Sequence, residues 1–241
     1  MALNPQGYAR TVGRAASAEI DAGLRSYMLR VYNTMALGVA LTGIVALAVA
    51  ANPAFMQAVA LGPMKWVLFI ALLGLGWFGP KVIMTGSTGA AHAVYWVYAA
   101  VWGALLSPIV IAYAGADIAR AFFITAAAFA GTSLYGYTTK RDLSAMGRFL
   151  VMASIGLLIA VLVNAFLIES TSLDFFLSVA IVLVFAGMTA WETQSIKEMY
   201  LSHAGDADTV SRMAIFGAMM LYGSFITMFI WILNIVGMSR E

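Results

Sequence analysis

One acidic side chain, that of Glu192, stands at the end of a long apolar stretch, where a carboxyl group could take up a proton or bind a cation. An ionised group inside a membrane costs at least about 2.5 kcal/mol, so an acid at such a position suggests a function. In a helix that begins near Asp174, Glu192 would lie about 27 Å along the axis. That depth is near the inner boundary of a bilayer about 30 Å thick. It fits either an interfacial glutamate in contact with headgroup water or a titrating gate or cation ligand that faces the interior of a helix bundle.

A lysine and two hydroxyl groups are candidate partners of this acid. We predict Lys81 at the same membrane depth as Glu192, where an ion pair would offset part of the desolvation of both groups. Lys81 could equally extend its amino group to the membrane surface without a partner. Ser224 and Thr227 are three residues apart and therefore share one face of a helix. Together with Gly223 they predict either close packing against another helix or the lining of an aqueous path.

Other chemistries lack the residues that they need. The chain has no cysteine, which excludes disulfides, thiolate metal sites and thiol catalysis. The segment from Ala114 to Asp117 approaches the motif of an intramembrane aspartyl protease, but it lacks the first glycine of that motif, and a second buried acid is missing. A rhomboid-type hydrolase needs a serine at the position that Thr88 occupies. We therefore expect the chain to be no enzyme and to hold no cofactor or metal site.

The composition is typical of an integral membrane protein. Lys, Arg, Asp and Glu together make up 10% of the 241 residues, against about 25% in ordinary globular proteins. Hydrophobic residues make up 63%, more than a water-soluble fold of this size could bury. The net charge of +2 is too small to indicate a nucleic-acid partner.

A helix needs about 20 apolar residues to cross a bilayer. Six uncharged stretches come close to this length or exceed it, and a shorter one of 15 residues between Lys65 and Lys81 continues past Lys81 to Thr85. Their continuous apolar character lacks the alternation of a membrane β-barrel. We therefore predict an all-α integral membrane protein with seven transmembrane helices. The predicted spans cover residues 31–51, 65–85 and 90–113, the stretches between residues 120 and 140 and between residues 148 and 169, a sixth span from 174 to 192 whose helix continues through 197, and the stretch between residues 212 and 240.

Lys and Arg residues are concentrated on one side of the predicted helices. Because basic residues favour the cytoplasmic side, we expect the N-terminus inside the cell and the C-terminus outside. The cytoplasmic side then carries Arg10, Arg14, Arg25, Arg30, Lys81, Lys140, Arg141, Arg148, Lys197 and Arg212, and the other side carries Lys65, Arg120 and Arg240. Residues 1–30 are then a polar cytoplasmic segment, and residues 31–241 form the transmembrane domain.

Four segments carry a specific resemblance to a known family. They are residues 129–147, which contain Tyr-Gly-Tyr-Thr-Thr-Lys-Arg-Asp-Leu-Ser, then Val163-Asn164, residues 185–194, which end in Ala-Trp-Glu-Thr-Gln, and residues 217–226, which contain Leu-Tyr-Gly-Ser-Phe-Ile. On these segments the chain resembles a bacterial member of the Bax inhibitor-1 family, the transmembrane Bax inhibitor motif proteins, from about residue 25 to residue 237. The resemblance implies the bacterial inner membrane as location and a seven-helix fold whose last helix is central and surrounded by the other six.

The resemblance also implies a pH-sensitive calcium leak across the membrane. In this family an aspartate on the sixth helix and one on the seventh form a proton-sensing pair near the cytoplasmic end, and an arginine on the second helix latches the pair. The matching positions in this chain are Glu192, Ser224 and Lys81. Serine has no carboxyl group, and lysine cannot make the planar two-pronged contact of arginine.

These departures predict an altered response. Two close carboxylates titrate as a coupled pair, and a glutamate that faces a serine loses this coupling. Calcium also prefers about six to eight oxygen ligands, commonly with more than one carboxylate among them. We therefore expect a calcium conductance that is weaker, or depends differently on pH, than in the family pattern.

Two further functions stay open at this point. Some bacterial relatives modulate membrane-protein quality control, so the resemblance also fits a regulatory protein that docks a membrane protease through residues 1–30. A proton-coupled transporter of a small solute is the other, because a lone carboxyl in a membrane can carry a proton.

Overall fold

The computed structural model describes residues 5–203 and 206–238, with side chains from residue 20 onward. This part of the chain forms eight α-helices and no strand. Their bounds are α1 (Pro5–Ala50), α2 (Pro53–Ala60), α3 (Met64–Thr85), α4 (Thr88–Ala112), α5 (Gly115–Thr138), α6 (Ser144–Val163), α7 (Thr171–His203) and α8 (Ala207–Met238). All but the short α2 are long and apolar enough to cross a membrane, which confirms the predicted all-α architecture with seven spanning helices.

Polar residues at two turns stop one helix and start the next. Asn52 accepts hydrogen bonds from two backbone N–H groups in the first turn of α2, at 3.1 and 3.3 Å, and Pro53 follows it. Ser87 accepts a backbone N–H at the start of α4 in the same way, at 3.2 Å. Such caps satisfy donors that the first turn of a helix leaves free. The chain therefore turns at the Asn-Pro and Gly-Ser-Thr-Gly segments that separate the first three predicted spans.

The first helix is longer than the span that it contains. α1 runs without interruption from Pro5 to Ala50, so the helix begins well before the predicted span of residues 31–51. The predicted boundary at residue 30 therefore does not coincide with a helix end, and the cytoplasmic placement of residues 1–30 stays a prediction. Residues 1–4 of that segment, and Arg240 at the end of the predicted seventh span, lie outside the described residues.

The last helix, α8, is the most buried of the spanning helices. Half of its span (50%) is buried within the protein, whereas no other span exceeds 28%. It contacts α1, α3, α4, α5 and α7, while α6 packs mainly against α7. Five spanning helices thus pack around α8; that all six surround it stays a prediction.

Two glycines allow neighbouring helices to approach closely. A Cβ added at Gly136 of α5 would overlap the carbonyl oxygen of Ala190 in α7, and one added at Gly103 of α4 would lie 2.6 Å from the carbonyl oxygen of Thr42 in α1. A backbone oxygen in a packed helix cannot move aside as the end of a flexible side chain can. The first of these contacts fixes α7 two residues before Glu192, the predicted site acid.

Candidate functional site

Glu192 of α7 is buried and faces α8. Only 5% of Glu192 and 2% of Ser224 is exposed. The Ser224 hydroxyl donates a hydrogen bond to Oε2 of Glu192, with 2.7 Å between the two oxygens. The structure therefore brings these two predicted site residues together, and the carboxyl points into the bundle rather than toward headgroup water.

A cavity of about 270 Å³ lies beside this pair, between α3, α4, α7 and α8. Its polar side chains include Glu192, Ser224 and Thr227. Apolar and aromatic residues form most of the remaining wall, namely Gly76, Pro80, Tyr98, Trp102, Phe185, Phe216, Met219, Met220 and Gly223. Because charges interact more strongly in apolar surroundings than in water, the carboxyl dominates the electrostatics of this cavity whenever it is ionised.

The small residues near Ser224 line this cavity. An added Cβ at Gly223 would meet no other heavy atom within 4 Å, so this glycine does not mediate close packing between helices. Thr227, four residues later, lies on the same cavity wall. Of the two interpretations of this face, close helix packing is wrong at Gly223. The face lines an open cavity, and that this cavity belongs to an aqueous path stays a prediction.

The structure does not bring Lys81 to the pair. The Lys81 side chain is exposed, and in the part of the chain that is described it forms no ion pair with Glu192. Pro80, the residue before it, lines the cavity. Helix α3 therefore borders the site without contributing its base, and Lys81 has the exposure expected of a lysine that extends toward the membrane surface.

The next residue of α7, Thr193, belongs to a chain of hydroxyl groups on another side of the helix. Its Oγ1 lies 2.9 Å from Oγ of Ser133 in α5, and that atom lies 2.6 Å from the hydroxyl of Tyr32 in α1. Thr193 also donates to the carbonyl of Thr189 at 2.7 Å. The chain thus joins α1, α5 and α7. Sequence analysis missed it, although all three members are polar residues inside apolar stretches, and this was the signal that could have found them.

Gln194 holds the connection between α5 and α6 against α7. Its buried side-chain amide accepts a hydrogen bond from the backbone N–H of Leu143 and donates one to the carbonyl of Arg141, both at 2.8 Å. Successive residues of an α-helix are about 100° apart around its axis. Residues 192, 193 and 194 therefore bond to three different neighbours, which leaves this part of α7 little freedom to rotate.

The start of α8 is fixed in two ways. Asp206 accepts hydrogen bonds from the hydroxyl and the backbone N–H of Thr209, at 2.5 and 3.2 Å. These bonds lower the pKa of Asp206, and the bond from the hydroxyl has the larger effect. Arg212 donates to the carbonyl of Gly86, after the end of α3, at 2.9 Å and to the Thr209 hydroxyl at 3.0 Å. α8 is thereby tied to the end of α3, and this contact helps to set the height of Ser224 in the bundle.

The arrangement suits passing contact with a cation better than tight binding. Among the residues that the structure describes, no three His, Asp or Glu side chains converge as metal ligands. Calcium takes about six to eight oxygen ligands, and the cavity offers one carboxyl and a few hydroxyl groups. A cation that meets Glu192 would therefore keep most of its water.

Comparison with known proteins places the chain among bacterial membrane proteins. It is 37% identical to an uncharacterized protein of Caulobacter vibrioides over 98% of both chains. It is 41% identical to the uncharacterized protein RP147 of Rickettsia prowazekii, over 92% of this chain and 93% of the relative. The inner membrane protein YbhL of Escherichia coli K12 is 39% identical over 91% of this chain and 94% of its own length.

A family match covers almost the same range as the resemblance found in the sequence. Residues 24–241 match the family described as "Inhibitor of apoptosis-promoting Bax1". Seven apolar helices and a relative named as an inner membrane protein agree with this match. The chain is an integral membrane protein that belongs to the Bax inhibitor-1 family.

Proposed function

We propose that this protein is a pH-sensitive cation leak of the Bax inhibitor-1 type, with calcium as the ion and Glu192 on its path. The observation that carries the proposal is the buried Glu192 carboxyl, which bonds to Ser224 at 2.7 Å beside a cavity between four helices. The proposal assigns no catalytic step to the chain.

The cost of a buried carboxyl supports a role in handling cations or protons. An ionised acid inside a membrane costs at least about 2.5 kcal/mol, and a carboxylate can accept about four hydrogen bonds, of which Ser224 supplies one. A cation that enters the cavity would neutralise this charge and occupy oxygen sites that Ser224 leaves open. The same charge would repel an anion, so the site favours cations.

The protonation of Glu192 sets the expected direction of the pH response. Only the ionised carboxylate attracts a cation, so flux should fall as the pH drops and the carboxyl takes up a proton. Tyr98 of α4 is the other titratable side chain on the cavity wall; α8 contributes the neutral Ser224 and Thr227, and the exposed Lys81 of α3 is not part of the wall. One acid predicts a single titration step instead of the two steps of a coupled pair.

Calcium flux through purified protein tests this proposal. Proteoliposomes that contain a calcium-sensitive dye are assayed at about pH 6, 7 and 8. Carboxyl groups ordinarily titrate near pH 4, but carboxyl groups in apolar surroundings can titrate within this range. Glu192→Gln keeps the size of the side chain and removes its charge. We expect it to lower the flux at the highest pH about tenfold, equivalent to about 1.4 kcal/mol, and to abolish the pH dependence. Ser224→Asp should raise the flux and divide the pH response into two steps.

Glu198→Gln is the matched control, because Glu198 is an exposed acid on the same helix. It should leave both the flux and its pH dependence unchanged. A pH-dependent leak that persists in Glu192→Gln, or an equal loss in the two variants, would contradict the proposal. Absence of calcium flux through wild-type protein at every pH would also contradict it and would leave the regulatory protein and the proton-coupled transporter as the remaining functions.

We also propose that the N-terminus is cytoplasmic and the C-terminus outside, as the placement of Lys and Arg predicts. The chain contains no cysteine, so single introduced cysteines can report their side of the membrane. Ser172 and Ser202 are exposed and lie near opposite ends of α7. In intact spheroplasts, Ser172→Cys should react with a membrane-impermeant maleimide and Ser202→Cys should not. The reverse pattern would invert the orientation.

A further inference from the structure

An open groove of about 500 Å³ lies between α1 and α5. Both helices pack against α7 and α8. The groove is defined here by Arg25, Leu29 and Tyr32 of α1 and by Phe129, Ser133 and Tyr137 of α5. Most of its wall is apolar, and it shares no lining residue with the cavity.

The groove begins at a membrane boundary and runs into the bilayer. Arg25 lies just before the uncharged stretch of α1 that begins at residue 31, and Tyr137 is the last residue but one of α5. α1 and α5 are the first and fourth spans, so they cross in opposite directions and these ends meet at the same boundary. Tyr32 lies seven residues beyond Arg25, which is about 10 Å deeper along the helix.

The end of the groove at the membrane boundary is basic. The exposed Arg25 side chain lines it, and the lining residues include no acid. Lys197 of α7 adds a second positive charge nearby, with its Nζ 5.4 Å from the centre of the Tyr137 ring. This end therefore attracts an anion at the level of the lipid headgroups.

The end of the groove that lies deeper in the bilayer is polar, but its hydroxyl groups already have hydrogen-bond partners. The hydroxyls of Tyr32 and Ser133 bond to each other, and Ser133 also bonds to Thr193. An apolar chain that entered the groove would therefore not leave these hydroxyls without a partner, which would otherwise be costly.

We propose that this groove binds one anionic phospholipid, with its phosphate at Arg25 and one acyl chain between α1 and α5. A guanidinium group holds a phosphate through charge-assisted, two-pronged hydrogen bonds. Basic pockets between membrane helices are known to bind anionic headgroups. The groove opens at the membrane-facing residues Leu29 and Leu134, which are 52% and 63% exposed, so a lipid is the neighbouring molecule at this position.

Lipid binding to the purified protein tests the proposal. Delipidated protein in detergent is titrated with phosphatidylglycerol or with phosphatidylcholine of the same acyl chains, and bound lipid is counted by native mass spectrometry. Wild-type protein should bind one phosphatidylglycerol about fivefold more tightly than phosphatidylcholine, the ratio expected for one basic contact near the headgroups. Arg25→Gln should remove this preference, and Arg25→Lys should restore most of it.

Two control variants separate this site from general binding to the protein surface. Arg30→Gln removes an exposed arginine of α1 that does not line the groove, and it should retain the preference. Ala130→Leu fills the groove and should weaken the binding of both lipids, whereas Ala127→Leu on the exposed surface of α5 should not. Equal affinity of wild-type protein for the two lipids, or equal losses in Arg25→Gln and Arg30→Gln, would overturn the proposal. Undiminished lipid binding in Ala130→Leu would also overturn it. A circular dichroism spectrum that matches wild type shows that each variant is folded.

Discussion

Two adjacent residues of α7 serve regions of different chemical character. Glu192 faces the cavity between α3, α4, α7 and α8, and among the described residues Ser224 is the one hydrogen-bond donor to its carboxyl. Thr193 faces α5, where its hydroxyl bonds to Ser133 and, through it, joins Tyr32 of α1. Both regions lie at the same depth, because only one residue of helix separates them.

The difference teaches what a buried polar group needs. Hydroxyls can donate and accept at once, so a chain of three of them satisfies itself and links helices at little cost. A carboxylate only accepts, and one hydroxyl donor leaves most of its capacity unused. The hydroxyl chain on the Thr193 side therefore has a structural role that its own hydrogen bonds account for. The carboxyl on the Glu192 side needs a proton or a cation to offset its charge.

The largest expected effect comes from a change that disturbs both regions together. Gly136→Ala would place a methyl group against the carbonyl of Ala190, so α5 and α7 would have to separate just before Glu192 and Thr193. We expect the free energy of unfolding to fall by about 3 kcal/mol, as in overpacked cores. Detergent-denaturation titrations measure it. Gly131→Ala is the control on the same helix, because an added Cβ at Gly131 meets no atom within 4 Å. Equal stability of the two variants would show that the close contact is not required.

A smaller effect is expected when α7 loses its bonds to the α5–α6 connection. Gln194→Ala removes two buried hydrogen bonds, to Leu143 and Arg141, each worth about 1 kcal/mol. The free energy of unfolding should fall by about 2 kcal/mol, while the Glu192 carboxyl and its calcium flux persist. Ser195→Ala changes the next residue, which is half-buried and makes no side-chain hydrogen bond in the structure, and should be neutral. Loss of pH-dependent flux in a folded Gln194→Ala protein would show that the Glu192 cavity depends on the bonds of Gln194 to the α5–α6 connection.

The smallest effect is expected when the hydroxyl chain of Thr193 loses one of its members. Thr193→Val keeps the shape of the side chain and removes one hydroxyl from the chain, while Ser133 keeps its bond to Tyr32. Hydrogen bonds between membrane helices average about 0.6 kcal/mol, so the free energy of unfolding should fall by about that amount. Flux and its pH dependence should match wild type. A change in flux as large as that in Glu192→Gln would place the hydroxyl chain on the ion path and end the distinction between the regions.

The spanning helices were predictable because their cause is local. About 20 apolar residues in succession must become a membrane helix in lipid, whatever surrounds them, since the backbone has no other partners there. The turns at Asn52-Pro53 and Gly86-Ser87 were predictable for the same reason, because each residue caps the helix that follows it. The start of the first span does not coincide with a helix end, because α1 continues through Arg25 and Arg30, and its placement at residue 31 stays a prediction.

The candidate site was predictable only in part. The resemblance matched Glu192 and Ser224 to a facing pair, and the structure brings them within hydrogen-bond distance. The same resemblance matched Lys81 to the latch, but its side chain is exposed, and no ion pair joins it to the carboxyl among the described residues. The charges along the sequence indicate the depth of a residue in the membrane, and depth alone does not say which way a side chain points.

By itself, the sequence determined how many apolar helices can cross the membrane and where along α7 its one buried carboxyl lies, because both follow from counting residues between charges. The tertiary structure alone decided what each side of α7 meets. A rotation of about 100° separates neighbouring residues of a helix, so helix packing assigned Glu192 to a cavity, Thr193 to a hydroxyl chain and Gln194 to a loop.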